Sequence, residues 1–193
     1  MRFSTRDMVL AALFAALTAV GAFIKVPVPH VPFTLQWLFV IFAGLLLGAR
    51  LGLLSQLVYI SVGLAGAPVF AYGGGPAYVL QPTFGYLVGF AGAAWLIGRL
   101  AEKDPGAPPA RLFLYNLVGL AVVYGLGVAH LYLIKNYLLH LHFPLATAIW
   151  FGALLCLPGD IALCLVAALL AEKVRARLGQ FVSTVTPAGG KEA

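Results

Sequence analysis

Charge is what this 193-residue chain lacks. Only 9% of its residues are Asp, Glu, Lys or Arg, whereas 62% are hydrophobic, and the mean hydropathy is +1.00. Soluble domains carry roughly 25% charged residues, so the composition excludes an ordinary soluble domain and points to a membrane protein. Cysteine is almost absent too: Cys156 and Cys164 lie eight apart in one apolar segment without a CxxC spacing. Free buried thiols fit that pattern better than a disulfide or a metal site. There is no GxxxxGKS/T phosphate loop, no HExxH and no GxSxG. The chain therefore cannot hydrolyse ATP by the P-loop route, and nothing marks it as an enzyme. No cofactor or metal is expected. The few scattered basic residues make no nucleic-acid surface. The first apolar run is long and has no small-residue cleavage pattern, so it does not read as a cleavable signal peptide.

What remains is apolar sequence with punctuation. Runs at about 7–24, 34–49, 51–66, 82–100, 112–138 and 146–171 predict six transmembrane helices, an all-α membrane domain over residues 1–178. Residues 179–193 have no apolar period and read as a disordered cytoplasmic tail. Ser4-Thr5-Arg6-Asp7 has the form of a capping box that starts the first helix. Gly48-Ala49-Arg50-Leu51-Gly52 reads as a tight turn between the second and third spans, and Arg99 to Arg111 as a hydrophilic Pro/Gly loop. With the N-terminus inside, ten of the twelve basic residues fall on the cytoplasmic side, and only Lys25 and Lys135 fall outside. That bias predicts cytoplasmic N- and C-termini.

The segment from Gly63 to Phe90 carries no charge but holds seven glycines, three prolines and three tyrosines. Irregular apolar backbone between two spans suits the wall of a binding cavity on the outer side. Tyr72, Tyr78 and Tyr86 are either an interfacial aromatic belt or pocket walls that offer hydroxyls to a ligand. Gln36, Gln81 and Thr83 add uncharged polar groups on the same side. Of six acidic residues, Asp160 alone falls within an apolar run, directly after Pro158-Gly159. An ionisable group at that depth costs roughly 2.5–3.5 kcal/mol on insertion scales, so it faces a ligand or caps the helix that follows. Lys135 and Asn136 end the fifth span. The lysine either snorkels to the interface or neutralises an acidic ligand or Asp160. His130, His140 and His142 lack partners at chelating spacing. Ala11/Ala15 and Ala12/Ala16 form small-xxx-small pairs on the first helix, either a packing seam or a docking face for another protein.

Three stretches carry a resemblance: KVPVPHVPFTLQ (25–36), GLAGAPVFAYGGGPAYVLQPTFGYLVGF (63–90) and LPGD (157–160). Together they resemble the BioY family, the biotin-specific S components of energy-coupling factor (ECF) transporters, over almost the whole chain to Ala171. The resemblance implies a six-helix subunit in a prokaryotic cell membrane that captures biotin from outside. Its implied partners are a transmembrane coupling subunit and two cytoplasmic ATPases, with the alanine face of the first helix meeting the coupling subunit. Biotin's ureido N–H groups suit an acceptor such as Asp160, and its ring and valerate chain suit apolar and aromatic walls. The chain departs from the family pattern at Leu163, where a lysine often follows the acid, and at Tyr72, where a polar residue often precedes the glycines. Carboxylate recognition then moves to Lys135 or to tyrosine and backbone donors. The open alternatives are an S component for lipoate or a biotin precursor, and a membrane-embedded enzyme of the same topology.

Overall fold

Ser4 starts the first helix as its sequence predicts. Its Oγ accepts from the Asp7 amide at 3.2 Å, and its own amide donates to Asp7 Oδ2 at 2.9 Å, a complete capping box. The computed structural model describes residues 4–185, with side-chain surroundings as far as Val174. Helix α1 (Thr5–Phe23) leads into a short antiparallel hairpin, β1 (Lys25–Val26) with β2 (Phe33–Thr34), in the register Lys25↔Thr34 and Val26↔Phe33. There follow α2 (Gln36–Leu64), a glycine-rich loop with a 3-10 turn at Pro76–Leu80, α3 (Phe84–Lys103) and α4 (Pro109–Leu133). Helix α4 winds on through a π turn at Ile134–Leu138. Last come α5 (Leu145–Ile149), a second π turn at Trp150–Leu154 and α6 (Leu157–Val185). Among the described residues, five helical stretches are long and apolar enough to cross a membrane.

One of those five folds back on itself. Gly48 inside α2 has φ +81° and ψ −178°, a conformation that essentially only glycine adopts. Beyond it, a β-carbon on Gly52 would lie 3.1 Å from the Ala43 carbonyl oxygen. Gln36 Nε2 also donates to Tyr59 Oη at 2.8 Å, although 23 residues separate them. In a straight helix those two residues would stand roughly 34 Å apart. The element is therefore a hairpin with arms 36–47 and 49–64. Glu102 on α3 secures its corner, because Oε1 accepts from the Ala49 amide at 2.8 Å and so satisfies a donor at the start of the second arm.

The loop expected from Arg99 to Arg111 is shorter than its polarity suggests. Leu100, Ala101, Glu102 and Lys103 are good helix formers that continue α3, and Pro109 takes a first-turn place in α4 where its missing N–H costs nothing. Only residues 104–108 connect the two. Asp104 ties them: its Oδ2 accepts from Arg111 Nη1 at 2.8 Å and from Tyr115 Oη at 2.9 Å. Those two donors hold the Asp104 carboxyl below the usual carboxylate range. The apolar run at 146–171 likewise is not one helix. It breaks at Leu155–Cys156, and Pro158 sits in the first turn of α6. Helix α6 runs on to Val185, so residues 179–185 of the expected tail are helical, because no proline stands there to end the helix, and residues 186–193 lie outside the described residues.

Helix α3 is the most enclosed of the five, with Ala93, Ala94 and Ile97 wholly buried between α2 and α4. Between α1 and α2 lies a polar cluster: Gln56 Nε2 donates to Thr18 Oγ1 at 3.3 Å and to Ser55 Oγ at 3.1 Å. All three side chains are fully buried. In an apolar interior such bonds have no competing water, and the one from Gln56 to Thr18 ties the two helices together.

Candidate ligand cavity

Local folding brings four separate segments to one cavity. The β1–β2 hairpin supplies Val31 to Thr34, and the glycine-rich segment supplies Ala71, Tyr78 and Thr83. Helices α2 and α3 contribute Gln36, Trp37, Tyr86, Leu87 and Phe90; α4 contributes Leu120, Val123 and Tyr124. Gly152, Cys156 and Asp160 close it. The empty space is about 620 Å³ counted with its open mouth. Trp37 and Phe90 stack with centroids 6.3 Å apart and planes 22° off parallel, making a flat aromatic wall. Phe33 reaches from the hairpin onto Gly159, where a β-carbon would sit 2.6 Å from its ring. Glycine is what allows the hairpin to lie that close to the start of α6.

Asp160 is the only carboxyl among the described lining residues, and it is 8% exposed. Tyr124 Oη donates to its Oδ2. Among the described residues Oδ1 makes no hydrogen bond, so the carboxylate keeps acceptor capacity. The other polar groups are partly engaged. Gln36 joins Thr34 Oγ1 at 3.1 Å to Tyr59 Oη at 2.8 Å, Tyr78 and Thr83 pair their hydroxyls at 3.3 Å, and Tyr86 Oη donates to the Gly152 carbonyl at 2.7 Å. No Lys, Arg or His lines the cavity among the described residues. The arrangement suits a small, largely apolar molecule with hydrogen-bond donors directed at Asp160.

Of the residues singled out in the sequence, Asp160, Gln36, Tyr78, Thr83 and Tyr86 meet here. Four others do not line the cavity. Tyr72 is half exposed, with the Lys25 ammonium 5.2 Å from its ring centre. Gln81 offers its carbonyl to His130 Nε2 at 3.1 Å. Lys135 holds its ammonium 5.9 Å from the centre of the Phe143 ring. The Asn136 amide bridges Tyr132 O at 3.0 Å and Phe143 N and O at 3.1 and 2.9 Å, fastening the turn after α4. Sequence reasoning passed over Trp37, Phe90 and Tyr124. The last had a faint signal, since Leu120, Val123 and Tyr124 share one face at helical spacing. The alanines of α1 divide: Ala11 and Ala15 are buried within the chain, whereas Ala12 and Ala16 face outward.

A sequence model of the BioY family matches residues 1–180. The chain belongs to the BioY family. Its relatives include a probable biotin transporter BioY of Lysinibacillus sphaericus, 48% identical over 171 residues that cover 89% of this chain and 87% of that one. The biotin transporter BioY of Thermotoga maritima is 37% identical over 171 residues, covering 88% and 96%. In fold, this BioY chain resembles a crystal structure of the S-component for biotin from an ECF-type ABC transporter. The TM-score is 0.79 at 24% identity, covering 91% of this chain and 95% of the other. A BioY chain with these apolar helices is a multi-pass membrane protein.

Proposed function

We propose that this chain is the substrate-binding S subunit of an ECF-type importer and that it captures biotin. One observation carries the reading: Asp160, a buried acceptor with a free oxygen, faces an aromatic-walled cavity. Biotin's ureido N–H groups donate to that carboxylate, its thiophane ring lies against Trp37 and Phe90, and its valerate chain runs along apolar wall. Gln36, Tyr78, Thr83 and Tyr86 set the shape of the site and offer further polar contacts. The names of the BioY relatives support the same ligand.

The chain crosses a prokaryotic cell membrane six times, the two arms of α2 counting separately, with both termini in the cytoplasm and the cavity on the outer side. Lysine and arginine placement supports that orientation, and the reversal at Gly48 supports the count. The subunit binds its vitamin without catalysing a reaction and works with a transmembrane coupling subunit and two cytoplasmic ATPases. The outward pair Ala12 and Ala16 is the contact for the coupling subunit. Purified protein should bind biotin tightly without nucleotide, and mass spectrometry of the copurifying small molecule should return the biotin mass. Lipoate, which has no ureido group for Asp160, should compete poorly. Failure of biotin to bind, or equal competition by lipoate, refutes the assignment.

A further inference from the structure

A ligand of this class carries its own anion, yet no cation lines the cavity among the described residues, and the one carboxyl there repels a second. The site therefore needs a positive group at its edge. One hydrogen bond and one strand pairing lead from the cavity wall to the same lysine. Lys25 Nζ donates to the carbonyl of Ala71 at 2.6 Å, and Ala71 lines the cavity at a partly exposed position. Lys25 is also paired in register with Thr34, a second lining residue, so its backbone is held beside the mouth.

We propose that Lys25 receives the ligand's carboxylate and so determines the preference of the site for acids over neutral analogues. The proposal rests on the biotin reading and adds to it the residue that reads the charge. The lysine is suited to this by what it lacks. The described ion pairs are Arg99–Glu102 and Arg111–Asp104, and neither involves Lys25. Its described contacts are a carbonyl oxygen and the face of Tyr72, which orient the ammonium without neutralising it. An ammonium has three N–H donors, and the Ala71 carbonyl takes one. Lys135, the other basic residue near this end of the fold, rests on Phe143, which does not line the cavity. A carboxylate at Lys25 also joins the hairpin to the glycine-rich loop through the ligand.

The test compares biotin with its primary carboxamide, which keeps the ring and chain and removes the charge. Binding constants are measured for the full-length protein in lipid nanodiscs, for wild type, Lys25→Met and Lys25→Arg. A charge-assisted contact at an exposed edge is worth up to about fivefold in affinity. Wild type should prefer the acid by about that factor. Lys25→Met should erase the preference by weakening the acid and sparing the amide, and Lys25→Arg should keep it. A lysine that merely ties two loops together would weaken both ligands equally and leave the ratio unchanged, which overturns the proposal. Loss of the preference in Lys135→Met instead of Lys25→Met overturns it as well. Biotin binding by wild type with an unaltered ratio in Lys25→Met sinks only the role of Lys25; no biotin binding by wild type sinks the biotin reading itself.

Discussion

Asp160→Asn is the substitution that most directly tests the site. The change is isosteric and removes only the charge. Tyr124 now donates to Oδ2, but a phenol also accepts, so it can turn to take the new Nδ2–H and leave the side chain in place. Fold and cavity shape are thereby preserved, and the remaining Asn oxygen faces the ligand as a neutral acceptor. A hydrogen bond to a charged group contributes about 1.5–3 kcal/mol, and one between neutral groups about 0.5–1.5. The loss is thus on the order of 1–1.5 kcal/mol for each ureido N–H that Asp160 receives. One such bond gives about a tenfold weaker biotin complex, and two give roughly a hundredfold. Trp37 provides the readout, because its indole lines the cavity in a stack with Phe90; fluorescence titration follows occupancy, and calorimetry gives the same constant independently. A biotin affinity within twofold of wild type, in protein with an unchanged melting temperature, would refute Asp160 as the ureido acceptor.

Two further substitutions probe other levels. Replacing Ala12 and Ala16 by Trp fills the outward face of α1 without touching the cavity, so under the proposed function biotin affinity should hold while copurification with a coupling subunit is lost. Retained copurification would remove that face from the interface. Gly48→Ala forces a β-carbon into a conformation that costs about 1–3 kcal/mol and pushes against Glu102, so melting in detergent should fall by several degrees; an unchanged transition would mean the α2 corner is not as constrained as its dihedral angles imply.

The elements most legible in the sequence were those set by local chemistry. Ser4 and Asp7 are a cap that needs no tertiary partner, and Gly48 marks a reversal because few other residues tolerate its dihedral angles. Asp160 stood out because an acid among apolar residues needs a reason to be there. The boundaries that sequence blurred were set by competing signals. Charge suggested loop through Arg99 to Lys103, but helix propensity won there, and hydropathy ran unbroken through 146–171 although Leu155–Cys156 interrupts the helix. The cavity was half legible. Tyr78, Tyr86 and Gln36 carry polar atoms that look out of place in apolar sequence, whereas Trp37, Phe90 and Tyr124 look like ordinary helix residues until the fold faces them inward. Lys135 and Lys25 are equally isolated cations in the sequence, and it takes the pairing of β1 with β2 and the bond to the Ala71 carbonyl to bring Lys25 to the cavity wall.

The bond from Gln56 to Thr18 has a mechanical meaning. It rivets α1 to the second arm of α2 inside an apolar layer, and the second arm is fastened in turn to Gln36 through Tyr59. A subunit that gripped α1 from outside would have to break that rivet to peel the helix away. Its pull would pass instead through two helices to the side chains around the cavity, which would make the outward face of α1 a handle on the whole body rather than on one loose rod.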